Sequence, residues 1–157
     1  MKIKLLAIGK TDDKNLLQLI DIYQKRLQHY IKFEFEVLPD IKNVKNLSEA
    51  QQKEKEGDLL LKKLQNTDQL ILLDDKGKQF TSIEFSQYLQ KKMNSGIKQL
   101  VLLIGGPYGF SDAVYKKASG KISLSKMTFS HQMIRLFIIE QVYRGFTILK
   151  NEPYHHE

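Results

Sequence analysis

The 157-residue chain contains no cysteine. It therefore has no disulfide framework, no thiolate metal ligand and no cysteine nucleophile. A reducing compartment suits such a composition, and we expect a cytoplasmic protein. The amino-terminal apolar run is short, is interrupted by Lys4 and is not followed by a cleavage pattern of small residues. We therefore expect no secretory signal.

Long hydrophobic runs are also missing. The nearly apolar segment at residues 133–142 has ten residues and contains Arg135, Glu140 and Gln141. A helix that spans a bilayer needs about 20 apolar residues, so we expect no membrane segment. A helix without a clean polar face is normally buried on more than one side. In a chain of this length, we expect another subunit to cover the second side.

Acidic residues are scarce in the second half of the chain, and the formal net charge is +7. Residues 1–78 carry 15 Lys and Arg against 13 Asp and Glu, whereas residues 79–157 carry 10 against 5. A basic excess is compatible with a nucleic-acid partner, because neutralising phosphates releases counterions. It is equally compatible with a mildly basic soluble protein, so charge alone does not decide between the two.

Common signatures of nucleotide-binding and hydrolytic sites are absent as well. No G-x-G-x-x-G follows a predicted strand, and the chain has no G-x-x-x-x-G-K-[ST], no serine-centred elbow and no H-E-x-x-H. His155 and His156 are adjacent but have no third ligand in the sequence pattern, so we expect no metal site. By default the tail, residues 153–157, is a frayed terminus, although its composition is unusual for one.

Apolar runs typical of strands alternate with segments of helical periodicity. Ser48 and Thr81 each begin a capping-box pattern that opens a helix. This alternation predicts an α/β fold with a mostly parallel sheet and helices on both faces, and the length predicts a single domain over residues 1–157. The predicted strands are 2–8, 32–37, 69–73, 99–104 and 122–125, and the predicted helices are 16–27, 48–65, 81–94, 112–118 and 131–149.

Three loops follow the carboxyl ends of predicted strands, at residues 74–78, 105–109 and 125–129. Open parallel sheets bind ligands at this edge. The turn GGPYG at 105–109 lets a ligand approach the backbone, because adjacent glycines remove side-chain bulk and tolerate positive φ. A glycine-rich turn after a strand is also often purely structural, so the turn alone does not establish a site.

His131 and Arg135 are four residues apart, so we expect them to share a helix face near its amino terminus. Two ordinary structural roles compete with a functional one. His131 could be a polar residue that caps the first turn, and Arg135 could form a buried ion pair with Glu140 or another acid.

Several motifs resemble the RlmH family of ribosomal RNA methyltransferases. The resemblance is poorest at residues 41–47. Relatives commonly have proline where this chain has Ser130, and we expect the serine to cap the following helix instead. The matching stretches cover the chain from end to end: KIKLLAIGK at the start, LILLDDKGK at 70–78, LLIGGPYGF at 102–110, ISLSKMTFSHQMIR at 122–135, EQVYRGF at 140–146 and PYH at 153–155.

The resemblance implies the SPOUT superfamily, in which a carboxyl-terminal trefoil knot in an α/β fold binds S-adenosylmethionine and the protein is a homodimer. It implies methylation of N3 of the pseudouridine in helix 69 of 23S ribosomal RNA, on assembled ribosomes. Two alternatives remain open: methylation of another RNA such as transfer RNA, and a ribosome-binding module without catalysis. Neither a metal nor a membrane is implied.

The resemblance also implies the site residues, and those for the cofactor fall in the three strand-end loops selected above. In one arrangement compatible with a dimer, the tail of one subunit reaches the pocket of its partner. The implied cofactor contacts are Leu73, Gly105, Leu124, Ser125, Lys126, Met127, Thr128 and Phe129. The candidates for binding or activating the target base are His131, Arg135, Arg144, Tyr154 and His155.

Overall fold

The five predicted strands are present and form a parallel sheet. The computed structural model describes residues 1–156, so Glu157, the last residue of the tail, lies outside the described residues. The strands are β1 (Lys2–Ile8), β2 (Lys32–Leu38), β3 (Asp68–Gln79), β4 (Gln99–Ile104) and β5 (Gly120–Ser123). They lie in the order β2-β1-β4-β3-β5, and all four pairings are parallel. The predicted fold class is confirmed.

Five helices connect or follow the strands. They are α1 (Lys14–Leu27), α2 (Glu49–Leu61), α3 (Ser82–Asn94), α4 (Asp112–Lys117) and α5 (Met133–Leu149). Both predicted capping boxes form. Ser48 Oγ accepts from the backbone N–H of Gln51, whose side chain accepts from the Ser48 N–H, and Thr81 and Glu84 repeat the arrangement. Each box satisfies two backbone donors that a helix start leaves without partners.

The sheet is covered on both faces, as the sequence predicts. Side chains alternate along β1: Ile3 and Leu5 join a core with α1, α3 and α5. Leu6 and Ile8 join a second core with α2 and α4. The strands in the middle of the sheet are apolar at nearly every position because they are buried on both faces.

Helix α5 lies in the middle of one helical layer, and this position explains most of its apolar character. It packs on the sheet and against α1 on one side and α3 on the other. Ile138, Ile139 and Val142 are each 0% exposed within the chain. Since three neighbours already bury the helix, its composition alone does not require another subunit. Met133, in contrast, is 40% exposed.

Strand β3 continues beyond its predicted end at Leu73. Its register against β5 shifts between Leu73 and Lys78, so the Asp-Asp-Lys-Gly segment expected as a turn is an irregular part of the strand. Gly77 makes this course possible, because a Cβ there would overlap the backbone of Ile122. Among residues 1–156, no helix is long and apolar enough to cross a membrane.

Candidate active site

A cavity of about 390 Å³ lies beyond the carboxyl ends of β4 and β5 and beside the irregular part of β3. We call it the strand-end cavity. Its walls are the irregular part of β3 at Asp74 and Asp75, the turn that follows β4, and the segment that follows β5 as far as His131. This volume falls within the usual range of small-molecule sites. The cavity therefore forms at the edge of the sheet that the sequence selects.

The glycine turn presents bare backbone to this cavity. Its end is closed by a hydrogen bond from the Gly109 N–H to the Gly106 carbonyl oxygen, at 3.1 Å, and Gly109 has a φ of +80°. A Cβ on Gly105 would lie 3.0 Å from the ring of Phe110, and one on Gly106 would overlap the carboxylate of Glu56. Close packing on these glycines leaves their backbone as the wall that a ligand meets.

A carboxylate and a phenol are joined at the mouth of the cavity. The hydroxyl of Tyr115 donates to Asp74 Oδ2 at 2.6 Å, and the Lys76 N–H donates to Asp74 Oδ1 at 2.8 Å. Burial opposes ionisation of Asp74, but these hydrogen bonds outweigh it, so the pKa of Asp74 lies below its usual range. Burial and the bond to Asp74 raise the pKa of Tyr115 to about 12. The mouth therefore carries a fixed negative charge at neutral pH.

The segment between β5 and α5 is organised by serine hydroxyls. Ser123 Oγ donates to the Ser125 carbonyl oxygen at 2.8 Å, and Ser125 Oγ accepts from the Met127 N–H at 2.9 Å. Ser130 Oγ accepts from the Met133 N–H at 3.2 Å, so the expected serine cap at the start of α5 is confirmed. The helix begins at Met133 and not at His131, which lies in the preceding turn. The Ile134 N–H nevertheless donates to the Ser130 carbonyl oxygen at 3.0 Å, so His131 lies in the first turn, but it is exposed whereas Arg135 is buried.

Most of the residues proposed for the cofactor meet in one place. Ser125 and Lys126 belong to the same segment but do not line the strand-end cavity, since the Ser125 hydroxyl is turned to backbone. His131 also lines the cavity and is exposed. The six proposed cofactor residues in the wall are Leu73, Gly105, Leu124, Met127, Thr128 and Phe129.

Arg135 is buried away from the cavity and is 1% exposed. Its guanidinium donates to the carbonyl oxygens of Ile8 at 2.7 Å and Gly9 at 2.8 Å, and to Thr11 Oγ1 at 2.8 Å. Sequence analysis offered a buried ion pair as one alternative for Arg135. The side chain is buried, but its partners are neutral oxygens at and just after the end of β1. Glu140 pairs with a different arginine.

That other arginine belongs to a group that we call the tail cluster, formed by Tyr23, Glu140, Arg144, Tyr154 and His155. Arg144 Nη2 donates to Glu140 Oε1 at 2.7 Å, and the Tyr154 hydroxyl donates to the same oxygen at 3.1 Å. The hydroxyls of Tyr23 and Tyr154 are 3.1 Å apart, and Arg144 Nη1 lies 3.3 Å from His155 Nδ1. Burial, and then the bond to Tyr23 and the charge of Glu140, raise the pKa of Tyr154.

Tyr154 and His155 are thus held against α5 and α1 of their own chain, which the default of a frayed end did not predict. Three of the proposed base-binding residues, Arg144, Tyr154 and His155, lie together in the tail cluster. None of the three lines the strand-end cavity. Within one chain, the structure therefore divides the five candidates into His131 at the cavity, buried Arg135, and the tail cluster.

A second cavity, of about 160 Å³, adjoins the first. We call it the aromatic cavity. It is lined by Phe80, Phe85, Phe129, Phe137 and Gln141, and by residues 122–124. Residues 122–124 and Phe129 also line the strand-end cavity, so the two cavities share a wall.

Sequence reasoning gave Phe80 no role and placed Phe137 and Gln141 only on the helix that we expected another subunit to cover. The available signal was the interruption of an apolar helix by Gln141. Among residues 1–156, no group of three or more His, Cys, Asp or Glu side chains is arranged to hold a metal ion.

Comparisons with known proteins identify the family. A family described as "Predicted SPOUT methyltransferase" matches residues 1–155. Proteins called ribosomal RNA large subunit methyltransferase H are similar over the full length of both chains: 73% identical in Flavobacterium johnsoniae, 74% in Flavobacterium psychrophilum and 69% in Parabacteroides distasonis. With its parallel sheet and a cavity at the strand ends, the chain belongs to the RlmH family of SPOUT methyltransferases.

Proposed function

We propose that the protein is a methyltransferase that uses S-adenosylmethionine to methylate N3 of the pseudouridine in helix 69 of 23S ribosomal RNA, on assembled ribosomes. The observation that carries the proposal is the strand-end cavity, walled by bare glycine backbone, in a chain 73% identical over its full length to a large-subunit ribosomal RNA methyltransferase. Residues 1–157 would act as one methyltransferase domain. Its substrate would place it in the cytoplasm.

The residues of the strand-end cavity fit S-adenosylmethionine. Leu73, Ile104 and Leu124 offer apolar surface for a planar base. Backbone N–H and C=O groups of the glycine turn and of residues 124–129 are available to its polar edge. The ionised carboxylate of Asp74 suits the positive charges or the ribose hydroxyls of this ligand. The family implies that this segment is threaded as a trefoil knot, which would hold the walls in place.

When bound in the strand-end cavity, S-adenosylmethionine would supply an electrophilic methyl group to N3 once N3 has lost its imide proton, and the S–CH₃ electron pair would stay on sulfur. The chain then has three tasks, which are to orient N3 in line, to accept or tolerate the proton and to exclude water. His131, at the cavity wall, is a candidate acceptor for the proton. Arg144, Tyr154 and His155 are candidates for holding the base or its phosphates.

We also propose that the working unit is a homodimer. Met127 is 77% exposed, Phe129 is 41% exposed and Met133 is 40% exposed, and all three lie on the segment from the strand-end cavity to the start of α5. A second copy would cover this apolar rim. It would also allow the tail cluster of one subunit to approach the strand-end cavity of its partner, giving a composite site.

Methyl transfer from labelled S-adenosylmethionine tests the function. Whole ribosomes, free large subunits and bulk transfer RNA are compared as substrates, and the modified nucleotide is mapped by the stop that N3-methylation causes in reverse transcription. We expect label on whole ribosomes at the helix 69 pseudouridine. Label on transfer RNA only, or cofactor binding without transfer to any RNA, would overturn the proposal.

A further inference from the structure

The aromatic cavity adjoins the strand-end cavity and is connected by hydrogen bonds to the tail cluster. On one side it shares residues 122–124 and Phe129 with the strand-end cavity. On the other side its polar wall, Gln141, donates from Nε2 to Glu140 Oε2 at 2.7 Å. Glu140 also accepts from Arg144 and Tyr154 of the tail cluster. A group in the aromatic cavity would therefore be next to the cofactor site, and Glu140 links the polar wall of the cavity to the tail cluster.

The lining of this cavity suits a flat heterocycle. Four phenylalanines line it, and the rings of Phe129 and Phe137 are tilted against each other with centroids 4.8 Å apart. Aromatic side chains bind nucleobases by stacking on their faces, which every base offers. The cavity is less than half the volume of the strand-end cavity, which suits a single base better than a nucleoside. Stacking alone, however, does not distinguish one base from another.

The amide of Gln141 supplies a directional contact, and its orientation is fixed. Its Oε1 accepts from the Ser82 hydroxyl at 3.0 Å, and its Nε2 donates to Glu140. Because a carboxylate paired with Arg144 can only accept, the NH₂ end must face Glu140. An amide has two N–H donors and two oxygen lone pairs. One donor and one acceptor, side by side, remain available to a ligand.

We propose that the aromatic cavity receives the target base, and that Gln141 selects pseudouridine over uridine by binding its N1–H and C2=O groups. The inference rests on the proposed function. In pseudouridine the sugar is joined to C5, so N1 carries a hydrogen next to the C2 carbonyl. In uridine N1 is bonded to the sugar and offers no donor. Binding of N1–H and C2=O leaves N3 free for the methyl group, which the reaction requires.

The proposal is tested by replacing Gln141 and measuring base selectivity. Gln141→Leu removes both hydrogen-bonding groups at nearly constant volume, and Gln141→Met is the second variant in case the branched side chain perturbs the helix. Gln87→Leu, at an exposed position of α3, is the matched control. Substrates are ribosomes with pseudouridine at the target position and ribosomes from cells that lack the corresponding pseudouridine synthase, which have uridine there.

We expect Gln141→Leu and Gln141→Met to lower kcat/KM on pseudouridine ribosomes by about tenfold to a hundredfold, as for loss of a bidentate base contact. The single-turnover rate on uridine ribosomes should fall less, because uridine keeps the C2 carbonyl but offers no N1–H to lose, and the affinity for S-adenosylmethionine should be unchanged. The ratio of the two substrates then moves towards one. Gln87→Leu should leave this ratio as in the wild type.

Three results would overturn the inference while leaving the methyltransferase function intact. The first is an unchanged ratio of the two rates, and the second is an equal loss of rate on both substrates. The third is dissociation of a dimeric protein by the Gln141 substitution, detected by light scattering, which would mean that a second subunit covers the cavity. A wild-type protein that methylates neither kind of ribosome would instead refute the proposed function itself.

Discussion

Arg135 donates a hydrogen bond from Nη2 to the carbonyl oxygen of Ile8, the last residue of β1, at 2.7 Å. This bond joins the start of α5 to the carboxyl edge of the sheet, and Gln132, one turn earlier, donates to the Lys10 carbonyl oxygen at 2.8 Å. The segment that walls the strand-end cavity is therefore anchored to β1 at its carboxyl-terminal end. Burial lowers the pKa of the guanidinium, which stays charged at neutral pH.

Arg135→Lys should destabilise the protein, because one ammonium cannot replace a planar guanidinium that reaches Ile8, Gly9 and Thr11. We expect the free energy of unfolding in urea to fall by about 1–3 kcal/mol, the cost of leaving buried polar groups unpaired. Thr11→Val, which removes one of the three acceptors, should cost less. If Arg135→Lys is as stable as the wild type but turns over slowly, Arg135 acts on the substrate instead.

Gly105→Val should abolish cofactor binding with a modest effect on folding. Even a Cβ at this position would lie 3.0 Å from the Phe110 ring, so a branched side chain must displace the ring or project into the strand-end cavity. Calorimetry with S-adenosylmethionine measures the loss, and circular dichroism checks the fold. Wild-type affinity in the folded variant would remove the glycine turn from the site.

Deletion of residues 154–157 should reduce turnover on ribosomes by roughly a hundredfold, as for loss of a positioned acid, base or orienting group. It removes Tyr154 and His155 from their contacts with Tyr23, Glu140 and Arg144. Affinity for S-adenosylmethionine and the oligomeric mass should stay unchanged, since the tail does not line the strand-end cavity. Turnover at the wild-type rate would show that the tail has no part in catalysis.

Reversing the charge of four exposed lysines should weaken ribosome binding while leaving cofactor affinity intact, since none of their side chains, that of Lys126 included, lines the strand-end cavity. Phosphate contacts made by lysines depend steeply on salt, so the defect should be largest at low ionic strength. Filter binding across a salt series measures the slope, which should become shallower. A slope equal to that of the wild type would mean that these side chains only solubilise the protein. The four residues are Lys116, Lys117, Lys121 and Lys126.

Light scattering at micromolar concentration should give about twice the 18.3 kDa mass of one chain. Met133→Glu, at a 40% exposed position, should shift the mass towards the monomer without unfolding it, because a charge in an apolar interface is costly. Ile138→Glu should instead unfold the chain, since Ile138 is buried in its own core. A monomeric wild type would refute the dimer.

Local signals predicted the elements well. The capping boxes at Ser48 and Thr81 form because their hydrogen bonds involve residues only three apart. The predicted end of β3 was wrong because its course depends on contacts that are distant in the sequence. An Asp-Asp-Lys-Gly sequence favours a turn, but pairing with a strand more than forty residues later keeps it extended, and Gly77 allows the approach of Ile122. Contacts so distant along the chain leave no local signal.

The same distinction applies to the site. The glycine turn and the segment before α5 could be selected because strand ends and glycines are visible in the sequence. The partners of Arg135 could not, since backbone carbonyls have no sequence identity of their own. The aromatic cavity was missed because Phe80 and Phe85 precede Phe129 and Phe137 by more than forty residues. In the sequence, each of these phenylalanines is an ordinary apolar residue of its own segment, and only the fold brings them together.

The contact between Glu56 and Gly106 links the cavity to the opposite face of the sheet. Glu56 is 4% exposed on α2, and its carboxylate accepts from Gln52 at 2.8 Å while it packs against the glycine turn. The glycine turn thus forms the wall of the strand-end cavity on one side and packs against α2 on the other. A ligand that orders the turn should therefore also slow the opening of α2, and we expect the two segments to be protected together in amide hydrogen exchange. Ligand binding in the strand-end cavity could then be followed by the exchange rates of α2 amides, although α2 does not line the cavity.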